Sequence, residues 1–93
     1  MPKLPLPVIE LQHIDGVDVW LFWCPGCATH HAPAVTRWSR AGSTASPTLS
    51  PSVVTEYADG RRCHLFMREG KLVFLEDCTH ALAGQTVPME PIP

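Results

Sequence analysis

Apolar positions along this chain fall in short alternating runs broken by glycine, proline and aspartate, the pattern of half-buried strands and not of helices. Residues 8–13 and 17–23 are two such runs, and Ile14-Asp15-Gly16 between them has the composition of a tight hairpin turn. Residues 28–36 read as a return strand, with Pro33 placing it at a sheet edge because proline cannot donate to a ladder. Residues 39–51 are mostly Ser, Thr, Ala, Gly and Pro, and are expected to cross the surface as a loop. In Pro47-Thr48-Leu49-Ser50-Pro51-Ser52 the prolines stiffen an extended path and the hydroxyls cap neighbouring backbone, a structural role. A strand over 52–57 follows, then a turn at Asp59-Gly60 and a second hairpin, 62–68 with 71–76, about Gly70. Residues 79–83 fit one helical turn ended by Gly84. The fold class expected is mostly β: a small, zinc-stabilised, zinc-ribbon-like antiparallel domain with two hairpins and at most one short helix. One domain spans 1–93, with its ordered core at 8–86 and proline-rich termini at 1–7 and 87–93.

Length changes the picture by limiting the core. A chain of 93 residues buries a modest share of its surface, so a supplement to hydrophobic packing is expected. Cys24, Cys27, Cys63 and Cys78 are the candidates. Two thiolates separated by Pro25-Gly26 converge on one point, and a distant pair completes a tetrahedron, so these four are the expected metal ligands and Zn2+ the expected cofactor. A two-residue turn at Gly70 places Cys63 and Cys78 on one face of the hairpin, whereas a three-residue loop separates them. His64 then faces the other way, with Asp77. His80, two residues beyond Cys78, is the rival ligand, in place of Cys63. His64 and Asp77 are alternative ligands or supports for the ligands.

Competing chemistry fits less well. Trp23-Cys24-Pro25-Gly26-Cys27 has a redox-type spacing, but His30, His31 and Pro33 stand where the activating helix should begin. No His-x-Glu accompanies the cysteines, which excludes a nucleobase deaminase. Seven Lys and Arg against nine Asp and Glu leave a net charge of −2, too little positive field for a general nucleic-acid binder. No apolar run is long enough to span a bilayer, and the N-terminal segment lacks a secretory pattern, so a cytoplasmic protein is expected. His30 and His31 are expected to be exposed. Trp20, Trp23, Trp38, Phe22, Phe66 and Phe74 supply the core, with Trp20 and Phe22 on one strand face and Trp23 on the other.

Several blocks in order resemble a known family: residues 20–27 with His30 and His31, then Trp38, residues 47–52, Cys63-His64, and residues 77–86, Asp-Cys-Thr-His-Ala-Leu-Ala-Gly-Gln-Thr. The family is one of small phage and prophage proteins, a domain of unknown function whose members sometimes carry the automatic label ammonia monooxygenase. A closed thiolate set without a membrane span does not fit that oxygenase label. The resemblance implies a zinc-binding viral or prophage protein, with the four cysteines, His64 and His80 matching the family's positions. Relatives beside bacterial ubiquitin-like conjugation genes imply an adaptor that binds protein. The expected function is therefore a structural zinc protein that binds a host or phage protein, in the host cytoplasm if phage-encoded, with self-association left open. No residue is assigned a catalytic role. The alternatives are a zinc-dependent hydrolase or transferase using His64, Asp77 and His80, and a zinc-knuckle nucleic-acid binder.

Overall fold

The computed structural model describes residues 6–93, so the proline-rich expectation for residues 1–5 lies outside the described residues. Two antiparallel sheets account for it. The first has three strands, β1 (Glu10–Ile14), β2 (Val17–Cys24) and β3 (Thr29–His31), in sequence order. The second is a five-stranded meander of β4 (Ser39–Ser43), β5 (Ser46–Glu56), β6 (Arg62–Arg68), β7 (Lys71–Phe74) and β8 (Thr86–Pro88). The expected class, a small mostly β antiparallel domain, is what forms. Among the described residues there is no helix: residues 79–83 make only turns. Among these residues, accordingly, no helix is long and apolar enough to cross a membrane.

Turn chemistry sets the registers. Ile14 pairs with Val17 across Asp15-Gly16, and Arg68 with Lys71 across Glu69-Gly70. All four turn residues have positive φ (50°, 80°, 48° and 75°), the type I′ geometry that matches the twist of flanking strands. Gly70 has a second duty, because a Cβ there would stand 3.2 Å from the Ser46 Cα.

The expected surface loop over 39–51 is instead a hairpin. β4 pairs with the first half of β5, from Ser39↔Ser50 to Ser43↔Ser46. Small polar side chains do not forbid a strand whose ladder satisfies the backbone and whose few apolar groups face inward; here Pro47 and Leu49 are buried. The C-terminal tail also corrects the expectation. Thr86–Pro88 adds a strand to β7, and Met89 is buried with its N–H donating to Gly70 O at 2.9 Å.

Alternation along β5, β6 and β7 sorts two faces. Leu49, Val53, Cys63, Leu65, Met67, Leu72 and Phe74 point inward to meet Phe22, Cys24, Val8 and Ile9 from the first sheet and its approach. Ser52, Val54, His64 and Phe66 take the opposite parity. Trp20 and Trp38 are half-buried against the core cluster, and Trp23 packs edge-on to His30 at 5.2 Å. Between Leu49↔Met67 and Val53↔Leu65 the register shifts, so β5 carries extra residues opposite β6 and bulges at Ser50, Pro51 and Ser52.

Leu65 is fully buried at the centre of the five-stranded sheet. Replacing it by Ala is expected to lower unfolding stability by about 2–5 kcal/mol, read from urea midpoints at unchanged slope.

Candidate active site and metal centre

Two constellations share the Cys63-His64 dipeptide of β6. On the inner face, ligand atoms of Cys24, Cys27, Cys63 and His80 all lie within 4.8 Å of one another. The Cys24 and Cys63 sulfurs are 3.8 Å apart. Bonds of about 2.3 Å in a tetrahedral thiolate site give edges of about 3.8 Å, so the spacing suits an ion such as zinc. His80 Nε2 is buried with no hydrogen-bond partner among the described residues, as a ring nitrogen facing a metal would be. The residues present fit a single metal ion.

Each donor is positioned by local structure. Cys24 ends β2, Ala28 turns the chain with φ of 54°, and the Cys27 N–H points at the Cys24 sulfur at 3.5 Å. Gly26 is required by its neighbour, since a Cβ there would collide with the His80 ring. Phe74 meets the same ring edge-on at 4.7 Å, which fixes its plane. The Cys63 hydrogen bond, with a second from His31, pulls Cys24 down to about 4, and that same bond together with burial pushes Cys63 up. Burial, then a hydrogen bond with Cys27, pushes Tyr57 up to about 12.

Cys78 is not in this cluster. The chain leaves the β6–β7 ladder after Phe74 and turns, with Cys78 N–H donating to Leu75 O at 3.2 Å. Its sulfur then lies 3.2 Å from both the N and the O of His64. The turn carries His80, two residues on, into the position expected for Cys78, so the rival ligand enters in place of a different cysteine from the one weighed. His31, expected to be exposed, is 5 % exposed, with Nδ1 at 3.3 Å from Thr55 Oγ1.

On the outer face a second chain of contacts runs through His64. Its Nε2 is 3.3 Å from Ser52 Oγ and its Nδ1 is 3.2 Å from Asp77 Oδ2. The His64 hydrogen bond, with Arg62 adding charge, holds the Asp77 carboxyl below the usual carboxylate range. An ionised Asp77 only accepts, which puts the His64 proton on Nδ1 and leaves Nε2 to accept from the Ser52 hydroxyl. A hydroxyl, an imidazole and a carboxylate in this order form a Ser-His-Asp relay, recognised by geometry and not by order along the chain. Sequence reasoning paired His64 with Asp77 but missed Ser52. The signal was present: a turn at Asp59-Gly60 pairs Glu56 with Arg62 and Val54 with His64, which leaves Ser52 one step along the same face.

A family described as bacterial ubiquitination-like system serine protease (BubE) matches over residues 6–75. This chain belongs to that family. Ser52 and His64 lie within the matched span, and Asp77 and His80 just beyond it. No curated relative and no solved structure matches the chain. The family description overturns the expected function of a structural zinc protein that works by binding another protein. It overturns the nucleic-acid alternative with it. A zinc hydrolase built on His64, Asp77 and His80 is not supported either, because His80 belongs to the inner cluster and His64 and Asp77 face outward to Ser52. The described family is bacterial, and nothing in the match carries the expected phage origin.

Metal content separates the two ligand sets. His80→Ala and Gly26→Ala are expected to lose the bound ion in native mass spectrometry, while Cys78→Ala keeps one ion per chain.

Proposed function

We propose that the chain is a serine peptidase in which Ser52 is the nucleophile, His64 the general base and Asp77 the group that orients it. The Ser52–His64–Asp77 relay carries this reading, and the family description supports it. Ser52 Oγ attacks the carbonyl carbon of a peptide bond as its proton passes to His64 Nε2. Asp77, bonded to Nδ1, keeps the ring in the tautomer that can accept and stabilises the imidazolium. His64 returns the proton to the leaving amine, which departs and leaves an acyl ester on Ser52. Water attacks this ester with His64 again as base, releasing the acid and restoring the hydroxyl. Contacts of 3.2–3.3 Å place the three groups within reach of proton transfer along the relay.

Position of the nucleophile follows from the bulge in β5. The indole N–H of Trp38 donates to Ser52 O at 3.2 Å, and that of Trp20 donates to Trp38 O at 3.0 Å. Two tryptophans therefore tie the nucleophile's backbone to β2 in the other sheet.

Zinc is the ion proposed for Cys24, Cys27, Cys63 and His80. Four protein donors close a tetrahedron and leave no position for water, so the ion stabilises the fold and takes no part in hydrolysis. Such a site contributes roughly 10–16 kcal/mol of apparent binding free energy, as much as the net stability of a domain.

A fluorophosphonate is expected to label Ser52 in peptide mass mapping, and Ser52→Ala and His64→Ala to abolish labelling. Absence of labelling in the wild type overturns the assignment. Asp77→Asn is expected to slow labelling by about 10²–10⁴-fold with the metal retained, since the ring then loses its orienting acceptor. Zinc removal by a chelator is expected to remove both labelling and the β-sheet circular dichroism, whereas Ser52→Ala leaves the spectrum unchanged.

A further inference from the structure

The catalytic serine stands at the start of an unpartnered strand edge. β4 pairs with β5 only through Ser50, so residues 53–56 have β6 on one side and, among the described residues, no strand on the other. Which backbone groups face that open side follows from their partners. His64 turns its C=O to Leu75 N–H at 2.9 Å and its N–H to the Cys78 sulfur at 3.2 Å, both away from β5. Residues opposite each other in an antiparallel ladder turn the same way relative to their neighbour, inward together or outward together. Val54, paired with His64, therefore aims its N–H and C=O outward at the open edge, two residues beyond Ser52.

That edge is one wall of a cleft of about 440 Å³. The opposite wall comes from β3, the last strand of its own sheet, and the segment after it, with Pro33 and Ala34. Trp38, Val53 and Tyr57 add apolar surface, and the contact between Thr55 and His31 joins the two sheets. Trp38 lines the cleft and donates its indole N–H to Ser52 O at 3.2 Å, and Val53 and Val54 of the cleft wall follow Ser52 directly in β5. An exposed valine, 47 % accessible, on a bare sheet edge invites unwanted pairing unless it has a ligand.

We propose that the substrate is an extended, unfolded stretch of polypeptide that adds as a strand to the Val54 edge of β5 and places an apolar side chain in this cleft. The inference rests on the serine peptidase reading and names its substrate class. Val54 N–H donates to a substrate carbonyl and Val54 C=O accepts a substrate N–H, a pairing available to an extended segment such as a linker or chain end and denied to a residue within a helix or a closed sheet. Affinity comes from the backbone, and selectivity from the one apolar pocket.

Peptidyl phosphonates test this without requiring the natural substrate. A four-residue phosphonate with apolar side chains is expected to inactivate the enzyme at least tenfold faster than the same warhead on one residue. Methylating the inhibitor's backbone nitrogens one at a time is expected to remove about tenfold at one position, the loss of a hydrogen bond. Val54→Pro removes the outward N–H without breaking a ladder bond, and is expected to bring the four-residue inhibitor down to within a few-fold of the one-residue inhibitor measured on the same variant, with metal content unchanged. Equal rates for long and short inhibitors, or indifference to every N-methylation, overturn the proposal while Ser52 labelling still stands. Failure of both inhibitors to label Ser52 overturns the peptidase reading itself.

Discussion

Because successive side chains on a strand point to opposite faces, Cys63-His64 commits β6 to two sites at once, a thiol inward and an imidazole outward. The segment after β7 repeats the division. Asp77 meets His64 on the outside, the Cys78 sulfur contacts the His64 backbone, and His80 joins Cys24, Cys27 and Cys63 on the inside. An ion holding Cys63 and His80 would thus fix the spacing of the two elements that carry His64 and Asp77. The base and its orienting carboxylate inherit their separation from a centre on the other side of the sheet.

The nucleophile is set by a different device. Strand β5 is too long for its partner between Leu49 and Val53, and the excess forms the bulge that carries Ser52. A bulge can slide or flatten unless it is pinned. Trp38 supplies the pin through Ser52 O, and Trp20 extends it to the three-stranded sheet. That sheet therefore serves the site from a distance, by delivering Cys24 and Cys27 to the inner cluster and by anchoring the serine. Neither task needs a large core, which suits a chain in which most buried apolar residues join one cluster.

One bare strand edge remains beside this arrangement. Proteins usually blunt such edges with charge, proline or a covering segment, because exposed backbone groups recruit foreign strands. Here Pro51 stands in the bulge, just past the last β4 pair at Ser50, and Val54 on the open part beyond it is exposed. In the proposed reading, recruitment of a strand beside Ser52 is a function and not a liability.

Sequence alone determined the strand-rich class, the hairpin turns at Asp15-Gly16 and about Gly70, the candidacy of Cys24, Cys27 and Cys63 for one cluster, and the opposed facing of Cys63 and His64. All are local, resting on φ preferences, two-residue periodicity and the reach of a short turn. The hairpin over residues 39–56 was hidden because its side chains are small and its ladder is a backbone property. The exchange of Cys78 for His80 and the recruitment of Ser52 were decided by tertiary structure. A single turn after Phe74 rotates a sulfur out and an imidazole in, and a bulge moves a hydroxyl over a neighbouring strand. Such displacements depend on how chain distant in sequence packs, which the alternation of polar and apolar residues does not encode.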